Sequence, residues 1–95
     1  MKKLWSIFTD DMDHCMFTGS PDIERHHVYG ASNRKRSEKY GFIAPLRRDL
    51  HPNGVQAGKV AKTLDLELKQ RCQRYFEEHY GSREDFIREF GRNYL

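Results

Sequence analysis

Residues 23–51 read IERHHVYGASNRKRSEKYGFIAPLRRDLH, and this stretch decides the fold. Residues 23–28 (IERHHV) have β-branched residues at both ends and predict a strand that carries two adjacent histidines near its end. Residues 30–41 are polar and basic, so they predict a loop with at most one helical turn. Residues 42–46 (FIAPL) predict a second short strand, in which Pro45 marks an edge position or the strand's end.

The residues before this stretch predict a short N-terminal hairpin. Residues 4–8 (LWSIF) and residues 14–18 (HCMFT) are apolar and aromatic, as is typical of strands. Residues 19–22 (GSPD) contain Gly and Pro where a chain reverses its direction. We therefore expect two short strands and a turn ahead of the strand that carries the histidines.

The residues after the stretch change to a helical pattern. Apolar spacings close to three and four predict a helix over residues 59–80 that ends at Gly81. Ser82 is a suitable N-cap for a second helix, which Gly91 would stop, and the last two residues would pack back. The apolar stripes of the two helices contain Leu64, Leu66, Leu68, Cys72, Tyr75 and Phe76, and then Phe86, Ile87 and Phe90.

The order of strands first and helices afterwards predicts an α+β fold. A chain of 95 residues is of ordinary size for one domain and too short for two. We therefore expect a single domain over residues 1–95, with a core over about 14–58 and a helical extension over about 59–95.

Charge is unevenly distributed along the chain. Residues 1–22 carry a net charge of −2, whereas residues 23–48 hold seven basic and two acidic residues, a net charge of +5. Such a basic block is typical of phosphate contacts, and a solvated charged face is an equally good reading. The candidate nucleic-acid contacts are Arg25, Arg34, Lys35, Arg36, Lys39, Arg47 and Arg48.

Two cysteines, Cys15 and Cys72, lie 57 positions apart and form no CxxC motif. A disulfide scaffold is therefore not expected, and we predict free thiols with Cys72 in the core. No apolar run is long enough for a signal peptide or a membrane span. We expect a cytoplasmic protein without a membrane partner.

Three of the five histidines form a pattern. His26 and His27 are adjacent near a predicted strand end, where a bend would let both imidazoles serve one site. One would hold a metal ion while the other activates water, because histidine titrates near neutral pH. His51 follows the second strand, 24 residues after His27, so the chain would return it to the first strand. The alternatives are surface decoration for the histidine pair and a helix cap for His51.

Four segments resemble the HNH endonucleases: Cys15 to Gly19 (CMFTG), Glu24 to Val28 (ERHHV), Tyr40 to Leu46 (YGFIAPL) and Leu50–His51. The resemblance spans roughly residues 14–55 and is greatest to small phage-encoded members. It implies a ββα-metal fold and hydrolysis of phosphodiester bonds with one divalent metal ion.

By the same resemblance, His26 and His51 hold the metal ion and His27 is the general base. Arg34 is the candidate for contact with the scissile phosphate, because a guanidinium binds phosphate through two hydrogen bonds. The ion would be Mg²⁺, Mn²⁺, Zn²⁺ or Ni²⁺, and two imidazole ligands favour the last three.

The chain departs from the family pattern at three places. The family's Asn at the start of the second strand is absent near residues 41–42, where Asn33 or Asn53 would have to substitute. Val55 stands where colicin-type members have a further histidine. Cys15 is not part of a zinc knuckle, so we expect no structural zinc.

Two classes of function fit these residues. The first is a metal-dependent endonuclease, with nucleic acid as its partner and DNA favoured over RNA. The second is a non-catalytic protein on the same scaffold, which binds nucleic acid or inhibits a nuclease. In either class, a protein partner or a homodimer would help a chain of this size choose its target.

Overall fold

The computed structural model describes residues 3–50 and 59–95, and it has a small α+β architecture. Two antiparallel strands and three α-helices make up its regular structure, and two short 3₁₀ turns cover Ala31–Asn33 and Arg48–Leu50. The elements are β1 (Ile23–His27), α1 (Arg34–Tyr40), β2 (Ile43–Arg47), α2 (Lys59–His79) and α3 (Arg83–Phe90). The predicted strand pair and the two predicted C-terminal helices are confirmed.

The strand pair is set in one antiparallel register, in which His27 is opposite Ile43 and His26 is opposite Ala44. Beyond the strand ends the Val28 amide still donates to the Phe42 carbonyl, at 2.9 Å. Hydrogen-bonded pairs alternate along such a ladder, which places Pro45 at a position whose nitrogen points away from β1. The missing N–H of Pro45 therefore costs the sheet no hydrogen bond.

The core lies between the strand pair and the two C-terminal helices. Tyr29 is 2% exposed and lies edge-on to Phe42 and Phe86, with ring centroids 5.8 and 5.5 Å away. Helix α2 contributes Leu68, Cys72 and Phe76 to this core, as its apolar stripe predicts. Leu66 is 49% exposed, because residues two apart on a helix do not share a face.

The predicted N-terminal hairpin is wrong, because residues 3–22 contain no strand. This segment instead covers the outer edge of β2 through isolated hydrogen bonds. Ile7 donates its amide to the Gly41 carbonyl and Met16 to the Pro45 carbonyl, at 2.9 and 3.0 Å. A tight turn in which the Gly19 amide donates to the Cys15 carbonyl uses up residues that a strand would need. An unpaired strand edge covered by a loop is protected from association with other chains.

Helix α1 occupies residues for which the sequence predicted a loop. Its buried residues are Ser37 and Tyr40, so only one large apolar side chain marks its buried side. Ser37 is fully buried, accepts from the Tyr29 amide at 3.1 Å and donates to the Tyr29 carbonyl at 2.7 Å. Apolar periodicity is therefore absent from a helix that is nevertheless fixed to the end of β1. Gly41 ends the helix in the left-handed conformation (φ 73°), which glycine adopts without strain.

Helix α3 begins and ends where the sequence predicts. The Ser82 hydroxyl accepts from the Asp85 amide while the Asp85 carboxylate accepts from the Ser82 amide, which forms a capping box. Gly91 ends the helix with φ 93°. Ile87 is 37% exposed, so only Phe86 and Phe90 of its predicted apolar face are buried. No helix in residues 3–50 or 59–95 combines the length and apolar content that crossing a bilayer requires.

Candidate functional site

Strand β1 directs its two adjacent histidines to opposite sides of the sheet. His26 is 5% exposed and faces α2, on the same side as the buried Val28. His27 lies on the other side with Ile23 and Arg25, where the three side chains line a cleft. Because the ladder continues past His27, the strand does not bend there as the sequence analysis expected. Each imidazole consequently contacts its own carboxylate.

His26 contacts Asp65, a residue of α2. The Nε2 atom of His26 lies 3.2 Å from Oδ1 of Asp65, and Oδ2 of the same carboxylate accepts from Nζ of Lys69 at 2.6 Å. The two side chains of the histidine pair are 6% and 20% exposed. Burial tends to raise the pKa of Asp65, but the hydrogen bonds from His26 and Lys69 outweigh it and hold that pKa below 3.8. Asp65 is therefore an anion held between two donors.

His27 contacts Glu38, which α1 supplies from the other side of the sheet. The Nε2 atom of His27 lies 3.0 Å from Oε2 of Glu38, with side-chain exposures of 11% and 25%. Ser37, the neighbour of Glu38, is bonded to the backbone of Tyr29 just after β1. The helix that carries the carboxylate is thereby fixed to the strand that carries the imidazole.

The cleft beside His27 has a volume of about 480 Å³. Its walls come from the N-terminal segment, from β1 and from the first residue of α1. Two of the predicted phosphate contacts, Arg25 and Arg34, line it together with His27. The structure therefore brings the predicted base and the predicted phosphate contact into one open cavity. Its lining residues are Leu4, Asp13, Pro21, Ile23, Arg25, His27 and Arg34.

The predicted basic contacts fall into two groups. The first group is neutralised locally: Arg25 pairs with Asp13 at 2.9 Å, Arg47 with Asp49 at 2.6 Å, and Arg48 with both Asp22 and Glu24 at 2.6 and 2.9 Å. The second group is carried by α1 and has no carboxylate partner within residues 3–50 and 59–95. Its members are Arg34, Lys35, Arg36 and Lys39.

A metal ion would find suitable donor chemistry at His26. Imidazole nitrogen and carboxylate oxygen are ligands that Zn²⁺ and Mn²⁺ accept. Among the residues that the structure describes, however, no group of three or more His, Cys, Asp or Glu side chains is arranged to hold a metal ion. The second predicted ligand, His51, lies outside the described residues, as do Asn53 and Val55. The described part of the chain thus fits the metal in kind and supplies less than a full set of ligands.

Asn33, one of the two residues considered as a substitute for the family's Asn, makes a long-range contact through its side chain. Its Nδ2 donates to the Phe90 carbonyl at 3.0 Å, which ties the start of α1 to the end of α3. The preceding Ala31 has a positive φ of 51°, so this loop also holds a strained backbone conformation. Asn33 therefore fixes the segment from which Arg34 enters the cleft.

Two features of the site escaped sequence reasoning. The sequence does not indicate that Glu38 belongs to the site. Residues 30–41 were predicted to form a loop, and a loop prediction does not say which way a side chain points. Asp65 does carry a sequence signal: the buried residues Ala61, Leu68 and Cys72 follow each other at helical spacing, and Asp65 fills the gap on that face. A carboxylate in a buried helical stripe requires hydrogen-bonding or charged partners. This requirement could have identified Asp65 as a residue with a specific partner.

Comparison of the chain with protein-family models, curated proteins and solved structures finds no significant match. The likeness to HNH endonucleases therefore rests on the sequence segments quoted above. The function is inferred from these segments together with the geometry of the two histidine–carboxylate pairs.

Proposed function

We propose that the chain is a metal-dependent endonuclease of the HNH type that hydrolyses phosphodiester bonds, with DNA as the favoured substrate. One observation carries the proposal: His27 and Glu38 form a hydrogen-bonded pair at the wall of a cleft that Arg34 also lines. An imidazole oriented by a carboxylate is a suitable general base, and a guanidinium beside it is a suitable phosphate anchor.

In the proposed reaction, His27 removes a proton from water. When Nε2–H donates to Glu38, the basic lone pair of the neutral ring is on Nδ1. A water molecule in the cleft would give its proton to Nδ1 as its oxygen attacks phosphorus. The carboxylate of Glu38 then stabilises the imidazolium that forms.

Arg34 positions the phosphate for this attack. Its guanidinium carries charge at any physiological pH and has no carboxylate partner among the described residues, so it is available to a phosphate oxygen. A divalent metal ion, when bound, neutralises phosphate charge and stabilises the leaving 3′-oxygen. His26, with His51 as the second ligand that the family resemblance implies, would hold that ion.

One observation favours a non-catalytic nucleic-acid-binding protein as the second candidate. His26 and Asp65 satisfy one another without a metal ion, and Lys69 completes the charge balance of the carboxylate. Such a pair would serve equally as a structural link between β1 and α2. The two candidates differ in one prediction, which is cleavage of nucleic acid.

The experiment that separates them is nicking of supercoiled plasmid. The wild type, His27→Ala and His79→Ala are stripped with chelator and assayed with Mg²⁺, Mn²⁺, Ni²⁺ and Zn²⁺ in turn. His79 is a matched control, because it is exposed in the last turn of α2, where it contacts the neighbouring Tyr75 and Tyr80 rings and the exposed Glu78. Loss of a general base lowers the rate by about 10²- to 10⁴-fold. We expect this loss for His27→Ala and wild-type activity for His79→Ala.

Two outcomes contradict the proposal. Equal cleavage by the wild type and His27→Ala would assign the activity to another residue. Absence of cleavage of duplex DNA, single-stranded DNA and RNA with all four metal ions would support the binding protein instead.

A further inference from the structure

We propose that a second cavity of the chain holds an unpaired nucleotide base of the substrate, stacked on the ring of Tyr80. The inference rests on the proposed function and deepens it, because it names the substrate class: DNA with a single-stranded segment beside the scissile phosphate. The cavity lies where the end of α1 meets the end of α2 and helix α3, and it shares no lining residue with the cleft beside His27.

The first support is the aromatic lining of this cavity, which has a volume of about 440 Å³. Three of its lining residues are Tyr40, Phe76 and Tyr80. The first two are buried, whereas Tyr80 is 49% exposed. The ring of Tyr80 lies edge-on to that of Tyr40, with centroids 4.9 Å apart, and its centroid is 5.8 Å from that of Phe76. Proteins that bind single strands use such fixed, half-exposed aromatic rings to stack a base.

The second support is the charge of the lining, which suits a base better than a phosphate. Lys39 and Arg88 are balanced by Asp85 and Glu89. Arg88 donates to Asp85 at 2.9 Å, and Glu89 accepts from the Tyr40 hydroxyl at 2.6 Å. Burial and the bond to Glu89 raise the pKa of Tyr40 to about 12, so the hydroxyl stays protonated and keeps donating to the carboxylate. A phosphate would meet two carboxylates, whereas a neutral base can offer amino groups to their oxygens.

The third support is helix α1, which lines both cavities. Arg34 at its start lines the cleft beside His27, and Lys39 near its end lines the second cavity. The rise of the helix between these two residues is about 7.5 Å. About two nucleotides of one DNA strand cover that distance, at roughly 3.4 Å for each nucleotide. Lys35 and Arg36 are exposed between them, so a strand whose scissile phosphate is at Arg34 would meet cations on its way to the second cavity.

The base in the second cavity has to be unpaired, because of how bases are arranged in duplex DNA. In a duplex the neighbouring base pairs cover both faces of each base, so an aromatic ring can stack on a base only after that base has left the stack. A single-stranded segment offers its bases without this cost in free energy. The ring of Tyr80 therefore selects single-stranded over fully paired DNA.

The first test is the affinity of the chelator-treated chain for a short single strand and for the blunt duplex of the same sequence, measured by fluorescence anisotropy. Tyr80→Leu keeps an apolar side chain against Tyr40 and removes the aromatic face, while Tyr80→Phe keeps the ring. Stacking of one base contributes about 5- to 150-fold to affinity. We expect Tyr80→Leu to bind the single strand at least about 5-fold more weakly than the wild type, with unchanged affinity for the duplex. Tyr80→Phe should bind both as the wild type does.

Phe17→Leu is the matched control, because Phe17 is 48% exposed and lines neither cavity. It should bind both oligonucleotides as the wild type does. If Tyr80→Leu does not fold, Tyr80→Met carries the test, since the flexible methionine side chain fills the same space.

The second test is the emission of 2-aminopurine placed in the single strand, which falls when this base stacks on an aromatic ring. A purely structural role of Tyr80 would leave this signal unchanged. The wild type, Tyr80→Phe and Phe17→Leu should lower the emission, and Tyr80→Leu should not.

The outcomes separate this inference from the proposed function. If Tyr80→Leu binds the single strand as the wild type does, or loses affinity for the single strand and the duplex alike, the base site is overturned while the nuclease proposal stands. Unchanged 2-aminopurine emission on binding to the wild type has the same meaning. If the wild type binds neither oligonucleotide, the inference and the proposed function are overturned together.

Discussion

The two sides of β1 differ in what they are built from. On one side, His26 meets α2 in a surface closed by the aromatic core, and its side chain is 6% exposed. On the other side, His27 meets the short helix α1 beside an open cleft, whose remaining wall is the N-terminal segment. Neighbouring residues of one strand thus enter two environments, and each environment supplies one carboxylate.

Under the proposed function, this difference would divide two tasks between the adjacent residues His26 and His27. The closed side suits the holding of a group in a fixed place, because packed helices prevent rearrangement. The open side suits proton transfer to and from a substrate, because the substrate and water must enter it. Under the proposed function, the metal ligand His26 would therefore lie on the side of α2, and the general base His27 would act on the side of α1.

The largest expected effect among the supporting residues is that of Glu38. Glu38→Ala removes the acceptor for Nε2–H of His27 and releases the ring, while Glu38→Gln keeps an acceptor oxygen. Misplacement of a reacting group by about 1 Å costs up to about 10²-fold in rate, so we expect a loss of about 10- to 100-fold for the Ala variant and less for Gln. Single-turnover cleavage rates measure this loss. Wild-type rates in Glu38→Ala would show that Glu38 does not orient the base.

The next effect concerns the N-terminal segment, which forms one wall of the cleft beside His27. A Cβ at Gly41 would lie 2.6 Å from the ring of Trp5, and the backbone there has a φ of 73°. Gly41→Ala should therefore destabilise the fold by about 2 kcal/mol, from backbone strain and displacement of the ring.

Gly19→Ala is the control for this substitution. Gly19 has a similar φ of 77° with nothing within 4 Å of its Cβ position, so its cost is that of strain alone, about 1 kcal/mol. Urea denaturation monitored by tryptophan fluorescence compares the two variants. An equal cost for both would show that Trp5 does not pack on Gly41.

A smaller effect separates the basic residues of α1 from those at the ends of the strands. Lys35 has no carboxylate partner among the described residues, whereas Arg48 is held by Asp22 and Glu24. Loss of one phosphate contact lowers the slope of log K against log[salt] by about 1 for duplex DNA. We expect this change for Lys35→Ala and little change for Arg48→Ala, measured by fluorescence anisotropy over a salt series. The opposite order would place the nucleic acid at the strand ends.

The smallest expected effect concerns the capping box at the start of α3. Hydrogen bonds from the Ser82 amide and hydroxyl, and then from Arg88, lower the pKa of Asp85 below 3.8. A lowered folded-state pKa adds stability that is present above the unfolded pKa and is lost as pH falls through the folded one. The melting temperature of Asp85→Asn should therefore lie below that of the wild type at pH 7, and the two should converge as pH falls through the lowered folded-state pKa of Asp85.

Glu84→Gln is the control for the helix cap, since Glu84 lies in the same turn outside the capping box. A difference between wild type and Asp85→Asn that persists at low pH would mean that the Asp85 charge is not its source.

The regular elements around the site were largely predictable, because their signals are local. The apolar run of residues 42–46 marked the second strand, and Ser82 and Gly91 marked the ends of α3. Helix α1 was missed because Tyr40 is its only buried apolar residue. Its other buried residue, Ser37, fixes the helix through hydrogen bonds to Tyr29 that no periodicity reveals. The N-terminal strands were predicted wrongly, because a segment of apolar residues that covers a strand edge resembles, in sequence, a segment that forms a strand.

Of each histidine–carboxylate pair, only the histidine could be predicted from the sequence. The sequence marks His26 and His27 by their adjacency, but their partners are 39 and 11 positions away and come from helices. Which carboxylate meets which imidazole depends on the sides of the strand to which α1 and α2 pack. The division of the two histidines between those sides is consequently a property of the tertiary structure.

The most direct test of this division is the dependence of the cleavage rate on Mn²⁺ concentration in the wild type, His26→Ala and His27→Ala. We predict that His27→Ala reaches half of its maximal rate at the wild-type Mn²⁺ concentration, with a maximum lower by about 10²-fold or more. We predict that His26→Ala requires a much higher Mn²⁺ concentration. If both variants change the metal requirement to the same extent, or if neither changes the rate, the two histidines do not divide the work and the account is wrong.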